Sequence, residues 1–241
     1  ADRVGAVPTP RPRRRGAPAG HPRLGRLHAA RSARRGRHDR DRPGRPGDLL
    51  FTQCGVSIAQ LNKSLKRKGK SLKTSGASNG QTIVGAMSTG THGSAIDTGS
   101  IQDYVVGIHL IVSPSRHIWL ERESYPVASN TLPERLGAEL IRDDTLFNAV
   151  LVSFGSFGVI HGVMIETENI FLLEAHRKLM PLNSALRKTI ETLDFSDLAL
   201  PDPVSRPYHF QVVVNPHDKQ ERAYVTTMYK RAYRHDYEMI L

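Results

Sequence analysis

Apolar and polar positions carry no period before Asp48 and a clear one after it. In Val56-Ser-Ile-Ala-Gln-Leu-Asn-Lys-Ser-Leu-Lys-Arg-Lys68, Ile58, Leu61 and Leu65 recur at helical spacing on one face, and Gly69 is a natural stop. From Ser71 to Gly93, glycine and small hydroxyl residues dominate around a short apolar insert at Ile83-Val84, which predicts an organised loop. Tyr104 to Val112 reads as a buried strand, Ser113-Pro-Ser-Arg116 as a turn, and His117-Ile-Trp-Leu120 as the hairpin partner. Asp143 to Val150 predicts a short helix with acids in its first turn. Val159 to Glu168 predicts a strand, and Leu182 to Leu193 an amphipathic helix with Leu182, Leu186, Ile190 and Leu193 on one stripe. Tyr208 to Val214 and Ala223 to Tyr229 follow as strands. Short strands interleaved with helices and hairpins give an α+β class.

Composition changes the picture only at the N-terminus. The chain has 241 residues and a net charge of +11, which would ordinarily suggest a nucleic-acid or anionic-membrane partner. Residues 1–47 hold 14 Arg against three Asp, whereas the remainder balances 20 basic side chains against 20 acidic ones. That first segment also holds seven of the 15 prolines and seven of the 20 glycines, with no Phe, Trp or Tyr. It cannot bury enough apolar surface to offset its ordering entropy, so residues 1–47 are expected to be disordered. Three readings stay open for it: a solvated tail, a nucleic-acid-binding arm, or GC-rich DNA translated out of frame. No nucleic-acid module is expected in the body. A single cysteine, Cys54, excludes an internal disulfide framework and a Cys-based zinc site. No apolar run is long enough for a membrane span, and no apolar stretch follows the basic start as in a secretory signal. A soluble, cytoplasmic protein is expected, and the sequence sets no oligomeric state.

The chemistry lies in Gly85-Ala-Met-Ser-Thr-Gly-Thr-His-Gly-Ser94. Gly85 and Gly90 have phosphate-loop spacing, but Thr91 stands where that loop needs Lys, so a nucleoside-triphosphate site fails. No G-x-G-x-x-G follows a strand, and neither G-x-S-x-G nor H-E-x-x-H occurs. What remains is a loop of backbone N–H groups, hydroxyls and flexible glycines. It suits a pyrophosphate held by main-chain donors, or else a plain Gly/Ser-rich surface loop.

That segment, followed by Ile101-Gln-Asp-Tyr-Val-Val-Gly-Ile-His-Leu-Ile-Val112, resembles the vanillyl-alcohol oxidase superfamily, whose members share the FAD-binding fold of p-cresol methylhydroxylase (PCMH). The sugar-lactone, alditol and sterol oxidase branch is the nearest in flavour. A second stretch matches it in order: Asp144-Thr-Leu-Phe-Asn-Ala-Val150, then Ser153-Phe-Gly-Ser-Phe-Gly-Val-Ile160. The resemblance implies the second subdomain of a PCMH-type FAD-binding domain over 48–168 and the start of an α+β substrate domain over 169–241. It implies FAD as cofactor and a hydride taken from the alcohol carbon of a polyol, sugar lactone or sterol. Gly85, Ser88, Thr89, Gly90, Thr91, His92, Gly93 and Ser94 would wrap the pyrophosphate and approach the isoalloxazine ring. Gly155, Gly158, Val159 and Ile160 would form a second wall near the adenine or ribose. His92 is the tempting base, although the family's motif histidine more often shapes the loop. His109 and His117 are most simply structural, and Cys54 a small buried hydrophobe rather than a flavin attachment point.

The family pattern begins with an Arg-Gly-Gly-His-Ser-like loop, and neither Arg15-Gly16 nor Arg35-Gly36 continues that way. Its substrate domain would run well past Leu241. The chain is therefore expected to be truncated at both ends and, in isolation, to bind FAD weakly or not at all; a catalytically silent fragment is the alternative.

Overall fold

The computed structural model describes residues 46–237. The expected disordered segment lies outside the described residues except for its last two, Pro46 and Gly47. Those two open a 3-10 turn, Pro46–Asp48.

The chain enters through β1 (Leu49–Gln53), whose alternation sends Leu50 to one face and Leu49 and Phe51 to the other. Helix α1 (Ile58–Lys66) starts at a capping box in which the Ser57 hydroxyl accepts from the Gln60 N–H and the Gln60 side chain accepts from the Ser57 N–H. Ile58, Leu61 and Leu65 are buried, as their spacing predicts. Strand β2 (Lys70–Ser71) follows.

Within the expected loop 71–93 the structure holds a helix, α2 (Ile83–Ser88). Three apolar side chains, Ile83, Ala86 and Met87, are fully buried, and the Thr82 hydroxyl caps the first turn. The glycines and hydroxyls masked this helix in the sequence, and tertiary burial overrides their weak helix propensity.

Strands β3 (Val105–Ser113) and β4 (Arg116–Glu121) form the predicted hairpin. Then come α3 (Thr131–Leu136), β5 (Glu139–Arg142), α4 (Asp144–Leu151), β6 (Val159–Glu166) and the short β7 (Glu168–Asn169). Asp143 caps α4, its carboxylate accepting from the Leu146 N–H at 2.8 Å. The predicted strand from Val159 ends at Glu166, because Glu168 changes partner and pairs with β2.

The main sheet has the order β1-β6-β3-β4-β5, with only β4 and β5 parallel. Its two faces bury different clusters. One packs α1, α2 and α4 over Leu50, Val105, Ile108, Leu110 and Ile165. The other packs Leu49, Phe51, Trp119 and Met164 under α3 and its flanking loops. Glu121, fully buried, holds that second face together. It accepts from Arg142 Nε (2.8 Å), Trp119 Nε1 (3.1 Å) and the backbone N–H groups of Val127 and Ala128.

Strands β8 (Phe171–Pro181), β9 (His209–Val214) and β10 (Arg222–Ala232) make a second antiparallel sheet in the order β8-β10-β9. Helix α5 (Ser184–Thr192) lies on one of its faces through Leu186, against Ala223 and Val225. The predicted stripe narrows here. Ile190 and Leu193 are 43% and 37% exposed, while Thr189 is buried, because its hydroxyl donates to the Ala185 and Asp194 carbonyls.

Candidate functional site

The Gly85–Ser94 segment is folded by contacts far from it in sequence. Gly85 sits in the first turn of α2, where its N–H donates to Thr82 Oγ1; a Cβ there would stand 2.9 Å from that oxygen. The helix ends at Gly90, whose φ of +69° is a left-handed conformation that glycine adopts without strain. The Gly90 and Thr91 N–H groups close back onto the Met87 and Ala86 carbonyls.

Beyond Gly90 the chain runs against residues 74–76. A Cβ on Gly93 would stand 2.5 Å from the Ser75 carbonyl oxygen and closer still to the Thr74 hydroxyl, so only glycine fits. Two tyrosines pin the supporting segment. Tyr104, buried with its phenol pushed to high pKa by desolvation, donates to the Thr74 carbonyl at 3.1 Å. Tyr208, at the entry to β9, donates to the Lys73 carbonyl at 2.5 Å.

The second glycine-rich stretch meets the first. The Phe154 N–H donates to the Ser88 carbonyl at 3.3 Å, and a Cβ at Gly90 would make ordinary contact with Val152. Phe154 itself has φ +53°, unusual for an aromatic residue, and is 77% exposed; Gly155 follows at φ +79°. Gly158, at φ +139°, lies so near the Ile111 carbonyl that a Cβ would come within 2.5 Å. Val159 is exposed and Ile160 buried.

The expected site residues thus have distinct settings. Ser88 is buried and gives its carbonyl to Phe154, while Thr89 donates its hydroxyl to the Gly85 carbonyl. The N–H groups of Gly85, Gly90 and Thr91 are committed within the chain. Among the described residues, those of His92, Gly93 and Ser94 have no intramolecular acceptor. Three consecutive uncommitted donors on an exposed turn suit a cofactor bearing phosphate and carbonyl oxygens, so the residues present fit FAD.

His92 is exposed, with Nδ1 3.1 Å from the Gly93 carbonyl oxygen, a local contact that shapes the turn. Ser94 Oγ lies 2.9 Å from Nδ1 of His209, the first residue of β9, and Ala95 forms an isolated bridge with His209. Burial holds the His209 imidazole below the ordinary histidine pKa, partly opposed by its hydrogen bond with Ser94.

Sequence reasoning missed Tyr104, Tyr208 and His209 as parts of the site. Their partners lie 30, 135 and 115 residues away, and no local pattern marks such pairings. His109 and His117 sit elsewhere, on the main sheet with His161: His109 Nδ1 is 2.9 Å from His161 Nδ1. Cys54 is half-buried at the end of β1, its N–H donating to the His161 carbonyl.

The comparisons with known proteins bear on the first of the two glycine-rich segments and on the fold. Residues 46–120 match the family model described as FAD binding domain. The chain is similar to L-gulonolactone oxidase 3 of Arabidopsis thaliana, 38% identical over 51% of this chain and 19% of that protein. It is also similar to D-arabinono-1,4-lactone oxidase of Yarrowia lipolytica, 25% identical over 58% of this chain and 23% of that one. Among solved structures, alkyldihydroxyacetonephosphate synthase shares the fold, with a TM-score of 0.55 and 16% identity over 78% of this chain and 36% of that one. The chain spans about a fifth of the length of these curated relatives. The matched stretch contains the Gly85–Ser94 segment and ends before Ser153–Ile160. No described helix is long and apolar enough to cross a membrane.

Proposed function

We propose that this chain supplies one wall of the FAD site of an oxidoreductase acting on an alcohol carbon of a sugar lactone, polyol or sterol. The observation that carries the reading is the hydrogen bond from the Phe154 N–H to the Ser88 carbonyl, which joins the two glycine-rich motifs. The lactone-oxidase relatives support the substrate class. FAD supplies the two-electron oxidation when bound, and the chain's own residues bind, orient and exclude water. The His92, Gly93 and Ser94 N–H groups are the donors for its anionic and carbonyl oxygens. Gly85, Ser88, Thr89, Gly90 and Thr91 hold that turn in shape through their own hydrogen bonds. Gly155, Gly158 and Val159 form the second wall, backed by buried Ile160.

Titration of FAD into the chain, followed by flavin fluorescence, tests this. Saturable quenching is expected. Gly93→Ala, which drives a methyl into the Ser75 carbonyl, should weaken it about tenfold, the scale of one or two lost backbone hydrogen bonds. Absence of saturable uptake up to millimolar FAD would refute the reading. So would uptake unchanged by Gly93→Ala in a variant whose circular dichroism matches the parent.

A further inference from the structure

We infer that Ser94 and His209 form a base dyad that accepts the hydroxyl proton of the alcohol substrate; this rests on the oxidoreductase reading above. The two side chains come from different sheets' territories, Ser94 from the cofactor loop and His209 from the start of β9, and meet at 2.9 Å. Their backbones are tied as well, through the Ala95–His209 bridge and the Ile96 N–H donating to the Tyr208 carbonyl. The pairing is thus held by main chain on both sides, as a catalytic pair requires. Ser94 is exposed on the turn that carries the uncommitted N–H groups, so its hydroxyl reaches bound molecules, while His209 stands half-buried behind it.

Burial keeps His209 neutral near pH 7, the form that can take a proton. In the Nε2–H tautomer its Nδ1 accepts from the Ser94 hydroxyl, leaving a Ser94 lone pair for an incoming O–H. The groups around it are few. The Tyr208 ring stands edge-on to the imidazole at 5.1 Å, Lys230 lies over the Tyr208 ring, and Lys73 offers its carbonyl to Tyr208. Asp97 is paired with Arg206 on the neighbouring turn, and His92 lies two residues from Ser94. Among the described residues no carboxylate hydrogen bonds to His209.

The step balances as follows. FAD, when bound, would be the oxidant and would accept the electron pair of the broken carbon–hydrogen bond as hydride. The substrate O–H proton moves to Ser94 Oγ as the Ser94 proton moves to His209 Nδ1. A carbonyl product and an imidazolium remain, and the imidazolium returns its proton to water.

Two measurements on the full chain test this. The first is labelling of Ser94 by phenylmethylsulfonyl fluoride, in which Oγ displaces fluoride and His209 takes the proton. The second is anaerobic flavin reduction by L-gulono-1,4-lactone at saturating FAD across pH. Each is run on the wild type, His209→Gln and His209→Asn; the Asn amide oxygen can replace Nδ1 as an acceptor but takes no proton. The expected result is Ser94 labelling and flavin reduction that both fall on an acid limb. Both should slow about a hundredfold in the two variants, the usual contribution of a positioned base, with FAD affinity unchanged. If either variant keeps the wild-type rates and limb, or if FAD binds while Ser94 stays unlabelled, the dyad is overturned. If Ser94 labels but no FAD is taken up, the oxidoreductase reading falls, and the dyad's role toward an alcohol falls with it.

Discussion

Acidification should destabilise this fold through one buried histidine. His109 is 4% exposed, its Nδ1 faces His161, and its Nε2 has no hydrogen-bond partner. Burial, reinforced by repulsion from His161 and His117, pushes it down from 6.5 to about 4. The sign follows from linkage: between those two values the unfolded chain binds a proton that the folded chain refuses. Stability is therefore fully present above about pH 6.5, and falls as pH drops toward 4. At about pH 4.5 the difference amounts to about 2.5 kcal/mol, a ceiling that water entry would lower. Urea unfolding followed by the fluorescence of the lone tryptophan, buried Trp119, measures it. His109→Leu keeps the volume and removes the titration. Near pH 7.5 the variant should lie within about 1 kcal/mol of wild type, since it loses one modest hydrogen bond and an orphaned nitrogen together. Near pH 4.5 it should be the more stable protein by about 2 kcal/mol. Parallel loss of stability in both proteins on acidification would refute the reasoning.

Two further outcomes follow from other parts of the structure. Glu121→Ala should cost about 3 kcal/mol, at the low end for a broken buried pair because Arg142 is 36% exposed and can turn to water; a cost below about 1 kcal/mol in urea unfolding would show that the carboxylate does not hold α3's flank to β4 and β5. Phe154→Gly should raise stability by about 0.5 kcal/mol, since relief of the left-handed conformation exceeds the entropy cost of glycine at a mostly exposed site. The same change should also weaken FAD binding, because the exposed ring flanks Gly155 of the proposed second wall, and thermal unfolding with flavin titration reads both effects.

The sequence by itself determined many of the local elements, while FAD came from its resemblance to a known family and not from the chemistry of the loop. Ile58, Leu61 and Leu65 fixed one face of α1, Asp143 marked the start of α4, and the β3–β4 hairpin lay open in its apolar run and its Pro114-Ser115 turn. The two glycine-rich motifs were legible through that resemblance, and the structure supplies a physical reason for their glycines: Gly90 and Gly158 have positive φ, and Gly93 and Gly158 are crowded by backbone. Strands β1, β5 and β8 and helix α3 went unread. The first three are defined by pairing with distant strands, and β8 shows little apolar alternation because much of it faces solvent. Helix α2 was hidden by its glycine and hydroxyls until Ile83, Ala86 and Met87 found a core to enter.

Tertiary structure alone decided which donors of the Gly85–Ser94 loop remain free, and which side chain stands behind it. Hydrogen bonds to Thr82, Ala86 and Met87 occupy the N–H groups of Gly85, Thr91 and Gly90, which among the described residues leaves the turn at His92–Ser94. The tempting histidine, His92, turns back on its own neighbour, while His209 arrives from 115 residues away. A sequence records which groups a loop carries. Only the folded chain settles which of them are already satisfied, because a hydrogen bond between distant segments leaves no periodic trace in either one.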